Sequence, residues 1–182
     1  CFVCSEQDRE FAIGHFKLNA AHVHLAPNGV DADSVLPATA AQRASAKARL
    51  GFHGKIVALF VGSRWPPNAD AVRELLKIAI RDERILYLVV GDVGQDFRGT
   101  SSANVRFTGF VDDIQPFFAA ADVAVNPMVS GSGSNIKMFE YLAAGLPVIS
   151  TYFGARGIAE DHAGSVVPVD LENFPTAILK VT

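Results

Sequence analysis

Lys137 and Glu140 lie three residues apart in the segment of this chain best equipped for chemistry, Asn-Pro-Met-Val-Ser-Gly-Ser-Gly-Ser-Asn-Ile-Lys-Met-Phe-Glu-Tyr-Leu-Ala-Ala-Gly-Leu-Pro-Val-Ile-Ser from Asn126 to Ser150. At that spacing an ammonium and a carboxylate face one side of a helix. The first can meet phosphate oxygens and the second can accept hydrogen bonds from hydroxyls. Gly131 and Gly133 precede them in a loop of Ser and Gly, and glycine lets a backbone take positive φ and approach a ligand closely. A helical pattern begins at about Asn135, so its unpaired N–H groups and positive dipole end offer an anion a second attraction. A cation in the first turn opposes that dipole, which makes Lys137 mildly wrong for stability alone. The competing reading is an ordinary exposed ion pair beside a plain connecting loop.

The elements around this segment must place it. An apolar strand, Ala121 to Val125, stops at Pro127, and a Gly145-Leu146-Pro147 break separates the helix from a second apolar strand. Upstream, apolar runs at Lys55–Val61, Ile85–Val90 and Val105–Thr108 alternate with helical patterns at Asn68–Ile80 and before Ala120. Strands apolar on both faces, alternating with helices, imply an α/β fold with a parallel sheet covered on two sides. Right-handed crossovers then favour a doubly wound, Rossmann-like sheet of order 3-2-1-4-5-6. Its switch point falls between Lys55–Val61 and Ala121–Val125, where ligands bind outside the carboxyl ends of the strands. The two loops meeting there are Gly62-Ser63-Arg64-Trp65-Pro66-Pro67 and the Ser/Gly loop before Lys137. One carries an Arg and the other a Lys.

Whole-chain properties narrow the classes. With 182 residues, about half of them apolar, the chain suffices for one domain with a sizeable core. A net charge of -3, with no basic run, argues against nucleic acid. The longest apolar runs are too short to span a membrane. The chain contains neither G-x-x-x-x-G-K-[ST] nor G-x-G-x-x-G after its first sheet strand, which disfavours a P-loop and a nicotinamide-dinucleotide site. Gly131-Ser-Gly-Ser-Asn135 is no nucleophile elbow. The five His show no metal spacing, and the C-x-x-C of Cys1 and Cys4 lacks a second pair; both cysteines read as strand residues. Scarce cysteine suits a reducing compartment, and a cytoplasmic location is expected. The chain starts with Cys inside an apolar strand pattern and ends as a helical pattern finishes, so a longer polypeptide is expected.

Several segments, in order, resemble the carboxyl-terminal domain of retaining glycosyltransferases of the GT-B fold, family 4 or group 1. Ala26-Pro27-Asn28-Gly29-Val30-Asp31 looks like that family's interdomain P-N-G-V-D turn, and Val3 to Asp8 like the S-E-x-D segment that precedes it. Phe60-Val61-Gly62 with Pro66-Pro67-Asn68-Ala69-Asp70-Ala71 looks like its first nucleotide-side loop. Val105 to Val111 resembles the segment that holds the base, and Glu140-Tyr-Leu-Ala-Ala-Gly145-Leu-Pro147 the second half of the E-x7-E motif. The resemblance implies that residues 1–30 are an interdomain remnant and residues 31–182 a nucleotide-sugar-binding domain. It implies that Arg64, or the backbone of Gly62 and Ser63, and Lys137 stabilise the departing diphosphate without a metal. It further implies that Glu140 binds the ribose, that Phe110 and Val111 meet the base, and that Gly131, Ser132, Gly133, Ser134 and Asn135 approach sugar and phosphate. Ser132 stands where the motif's first glutamate is expected. No cofactor is implied beyond the nucleoside-diphosphate-sugar donor. The partner implied is an amino-terminal acceptor-binding domain, with peripheral membrane association of the full enzyme. The 182 residues alone are expected to be inactive and to self-associate. A non-catalytic nucleotide- or sugar-binding module, and an unrelated flavodoxin-like domain, are the alternatives.

Overall fold

The computed structural model describes residues 1–100, 102–131, 135–158 and 164–182. Strand β1 (Phe2–Val3), helix α1 (Glu6–Phe16) and strand β2 (His24–Leu25) form a small unit whose two strands pair in parallel. Ser5 caps α1 by accepting from the Asp8 amide, and the free Cys1 and Cys4 flank β1 on the surface. Helix α2 (Ala40–Leu50) follows; Thr39 and Gln42 form a capping box at its start, and Gly51 at φ 75° ends it.

The remaining strands form one sheet: β3 (Ile56–Val61), β4 (Ile85–Val90), β5 (Val105–Gly109), β6 (Val123–Asn126), β7 (Val148–Ser150) and β8 (Val166–Pro168). Their spatial order is β5-β4-β3-β6-β7-β8 and every pairing is parallel. Counted from β3, this is the doubly wound order 3-2-1-4-5-6. The sequence explains why both faces are covered. Val57, Ala58, Leu59 and Phe60 are all fully buried, and successive side chains of a strand point to opposite faces. Ala58 and Phe60 join one core with residues of α3 (Pro66–Ala79) and α6 (Phe174–Val181). Val57 and Leu59 join the other, with residues of α2, α4 (Gln115–Ala120) and α5 (Lys137–Ala143).

Helix boundaries shift in two informative places. Helix α3 starts at Pro66 rather than Asn68, because proline tolerates the first turn, where its missing N–H has no intrahelical partner. Helix α5 starts at Lys137, two residues after the expected start near Asn135, and has only seven residues. The Met138 and Phe139 amides already donate to the Asn135 and Ile136 carbonyls at 2.9 Å each. The attraction expected from the start of this helix is therefore reduced, and the charge of Lys137 carries more of it.

Candidate functional site

The switch point lies between β3 and β6, which pair through Ala58 with Val123 and Leu59 with Ala124. The loop leaving β6 docks on the first turns of α3. Ser130 Oγ donates to Asp70 Oδ2 at 3.0 Å. Gly131, at φ 117°, packs so closely that an added Cβ would stand 3.3 Å from Pro67. The two loops expected to meet at the crevice do meet.

Lys137 is drawn across the crevice into this junction. Its Nζ donates to Asn68 Oδ1 at 2.7 Å, lies 4.3 Å from the centroid of the Phe60 ring and 3.9 Å from Met128 Sδ. Asn68 Nδ2 donates in turn to the Ser63 carbonyl at 3.0 Å. Gly62 makes room for this arrangement, since a Cβ there would stand 3.0 Å from Phe60 Cε1 and 3.3 Å from Asn68. Burial pushes the Lys137 ammonium down to about 7, against the supporting charge of Glu140.

Glu140 sits half-buried on the same helix, and burial raises its carboxyl above the ordinary range despite the nearby Lys137. Among the described residues its carboxylate makes no side-chain hydrogen bond. The next residue, Tyr141, is fully buried, and its hydroxyl accepts from the Val61 amide at 2.8 Å. This bond ties α5 to the last residue of β3, directly before Gly62. Tyr141→Phe leaves the half-buried Val61 N–H without its partner and is expected to cost about 1 kcal/mol. Urea denaturation of both proteins measures it; equal midpoints would mean that the bond contributes nothing.

Other expected site residues are distributed differently. The Arg64 side chain is largely exposed and pairs with Asp96 at 2.7 Å, while its backbone N–H donates to Asp92 at 2.7 Å. It thus faces the turn Asp92–Phe97 after β4, and no bond links it to Lys137. Asn135 uses its amide on the Gly154 carbonyl at 2.9 Å, which braces the helix start. Phe110 is 74% exposed, beyond the end of β5, on an open cleft of about 740 Å³ shared with Phe97, Arg98 and Phe107. Val111 is partly buried and packs against the core that holds Phe118 and Ala120 of α4. Ser132, Gly133 and Ser134 lie outside the described residues. Asn68, Phe60 and Tyr141 lie in the segments that carry the resemblance, but the sequence assigns none of them a role; the available signal was Asn68 itself, a polar residue in the first turn of a helix, directly after two prolines.

A parallel sheet in this order defines the Rossmann-like class of α/β domains. Within that class the chain belongs to the glycosyl transferases group 1, the family that matches residues 55–182. It is 34% identical over 166 residues to phosphatidyl-myo-inositol mannosyltransferase of Mycobacterium tuberculosis, covering 84% of this chain and 42% of that enzyme. It is 27% identical over 191 residues to mannosylfructose-phosphate synthase of Agrobacterium fabrum, covering 92% of this chain and 41% of that protein. The chain thus spans less than half the length of these relatives. Among solved structures, WaaG, a glycosyltransferase of lipopolysaccharide biosynthesis, superposes at TM-score 0.74 with 21% identity, covering 99% of this chain and 52% of WaaG. Anabaena HepE in complex with UDP superposes at TM-score 0.75 with 18% identity, covering 98% and 52% respectively. The fold is that of the carboxyl-terminal half of a GT-B glycosyltransferase.

Proposed function

We propose that this chain is the donor-binding half of a retaining glycosyltransferase that uses a nucleoside-diphosphate sugar. The observation that carries the reading is Lys137 held at the crevice by Asn68, with Glu140 one turn on along the same helix, in a chain of this family. Lys137 meets the diphosphate and stabilises the charge that grows as the diphosphate leaves; such preorganised charge is a large contributor to catalysis. Glu140 accepts from the ribose hydroxyls. Arg64 assists only where an arriving diphosphate outcompetes Asp96. Transfer needs donor and acceptor held in near-attack geometry, so these residues alone bind the donor without turning it over, and the charge on the leaving group is met without a metal.

Calorimetric titration with UDP, GDP and ADP in the presence of EDTA tests this. One nucleotide is expected to bind, and Lys137→Ala to weaken it by about one to two decades in Kd, as for the loss of a charge-assisted contact. Equal binding by the variant would refute the diphosphate assignment. Sugar transfer to an added acceptor by the 182 residues would refute the division of labour.

A further inference from the structure

We propose that Asn68 is a positioning residue for the donor, holding the Lys137 ammonium in place over the Ser63 turn while leaving its charge intact. The inference rests on Lys137 meeting the diphosphate.

Asn68 is a buried polar residue on a helix whose neighbouring buried positions, Ala69, Ala71, Val72 and Leu75, are apolar. Its two ends do different things. Nδ2 donates to the Ser63 carbonyl, a bond only a donor can make, and this turns Oδ1 toward the Lys137 ammonium. A lysine side chain has four flexible methylene groups, and here three contacts from three elements converge on its tip. They are the Asn68 amide from α3, the Phe60 ring from β3 and the Met128 sulfur from the segment after β6.

The choice of an amide over a carboxylate has a physical consequence. A carboxylate at 2.7 Å would orient the ammonium equally well but would cancel its field and repel an incoming diphosphate. A neutral acceptor orients without cancelling. The charged group that couples to Lys137 is Glu140 on its own helix. Asp70, two residues further along α3, is already engaged by Arg73 and Ser130. The remaining groups against the amine, Asn68, Phe60 and Met128, are neutral. Gly62 belongs to the same device, because only the missing side chain lets Phe60 and Asn68 close over the turn.

The test compares the parent with Asn68→Asp, Asn68→Leu and Lys137→Met. Lysine 13Cε shifts are followed against pH, and binding of inorganic pyrophosphate, UDP and GDP is measured at pH 6. Lys137→Met assigns the Lys137 signal by its disappearance. Asn68→Asp is expected to move the Lys137 midpoint up by about one pH unit or more and to weaken pyrophosphate about tenfold. Asn68→Leu removes the acceptor, moves the midpoint down and weakens binding severalfold. Asn68→Ser, whose hydroxyl is too short to reach the amine, replaces any variant that fails to fold, with the same downward shift expected. A residue that merely held the Ser63 turn would lower stability and leave the Lys137 midpoint where it is, and that result overturns the proposal. If Lys137→Met weakens binding while the Asn68 variants bind like the parent, the proposal alone is overturned. If Lys137→Met binds like the parent, the underlying diphosphate reading fails with it.

Discussion

Gly91→Ala is expected to destabilise the domain by about 3 kcal/mol or more, combining a forbidden backbone angle with a clash. Gly91 follows β4 directly and has φ 108°, a conformation that L side chains rarely adopt. A Cβ at this position would stand 2.2 Å from the Gly62 carbonyl oxygen and 3.0 Å from the Gly62 carbonyl carbon. Both are backbone atoms, so neither can swing aside as a side chain would. The same carbonyl accepts from the Val93 amide at 3.3 Å, and Gly91 N–H donates to the Gly109 carbonyl at 3.0 Å. Relief of the clash must therefore displace the start of the β3–α3 loop, which carries Ser63 toward Asn68. Gly109→Ala is the control, because Gly109 also has positive φ, at 73°, but an added Cβ there meets nothing within 4 Å. Urea denaturation should show a substantially smaller loss for Gly109→Ala, and pyrophosphate titration should show weakened binding only for Gly91→Ala. Equal losses at the two positions would mean that the angle alone matters and that the contact with Gly62 does not.

Lys137→Met should move stability and binding in opposite directions. Pyrophosphate affinity should fall by about one to two decades, as expected for the loss of one charge-assisted contact. Stability should rise, because a cation stripped of much of its water is expensive to hold, even with Asn68 and Glu140 near it, and an apolar residue of similar shape is not; at pH 6 the gain is expected to be about 1 kcal/mol or more. The pH dependence gives the sign. Burial has pushed the amine down to about 7 in the folded protein, against about 10.4 for an ordinary lysine. Between those values the unfolded chain binds more protons, so parent stability climbs with pH through that window. The advantage of Met is full below pH 7 and fades as pH approaches 10.4. Urea midpoints of both proteins at pH 6, 8 and 10 measure this. A variant less stable than the parent at pH 6, or a gap unchanged by pH, would contradict it. A residue that costs stability while gaining binding is the usual signature of a functional position.

The sequence by itself determined the sheet. Val57 to Phe60 are apolar at consecutive positions, and a strand can bury every one of them only between two layers of helix. Handedness and short connections then leave few orders, and the order found is the one they favour. Local signals also placed Lys137 and Glu140 on one helix at the switch point and ended α5 ahead of Gly145, whose φ is 69°. Tertiary structure alone decided what each polar group touches. Lys137 finds Asn68 across 69 residues, Tyr141 reaches Val61 across 80, and Arg64 turns to Asp96 across 32. None of these pairs leaves a periodic trace, because periodicity records which face of an element is buried, and these bonds join different elements. The short α5 was hidden for the same reason. Just before its start Asn135 bonds to Gly154, which lies beyond β7, a contact that no local pattern records. Propensity and pattern act within a few residues, whereas the geometry of this site is set by loops that the sheet brings together from distant parts of the chain.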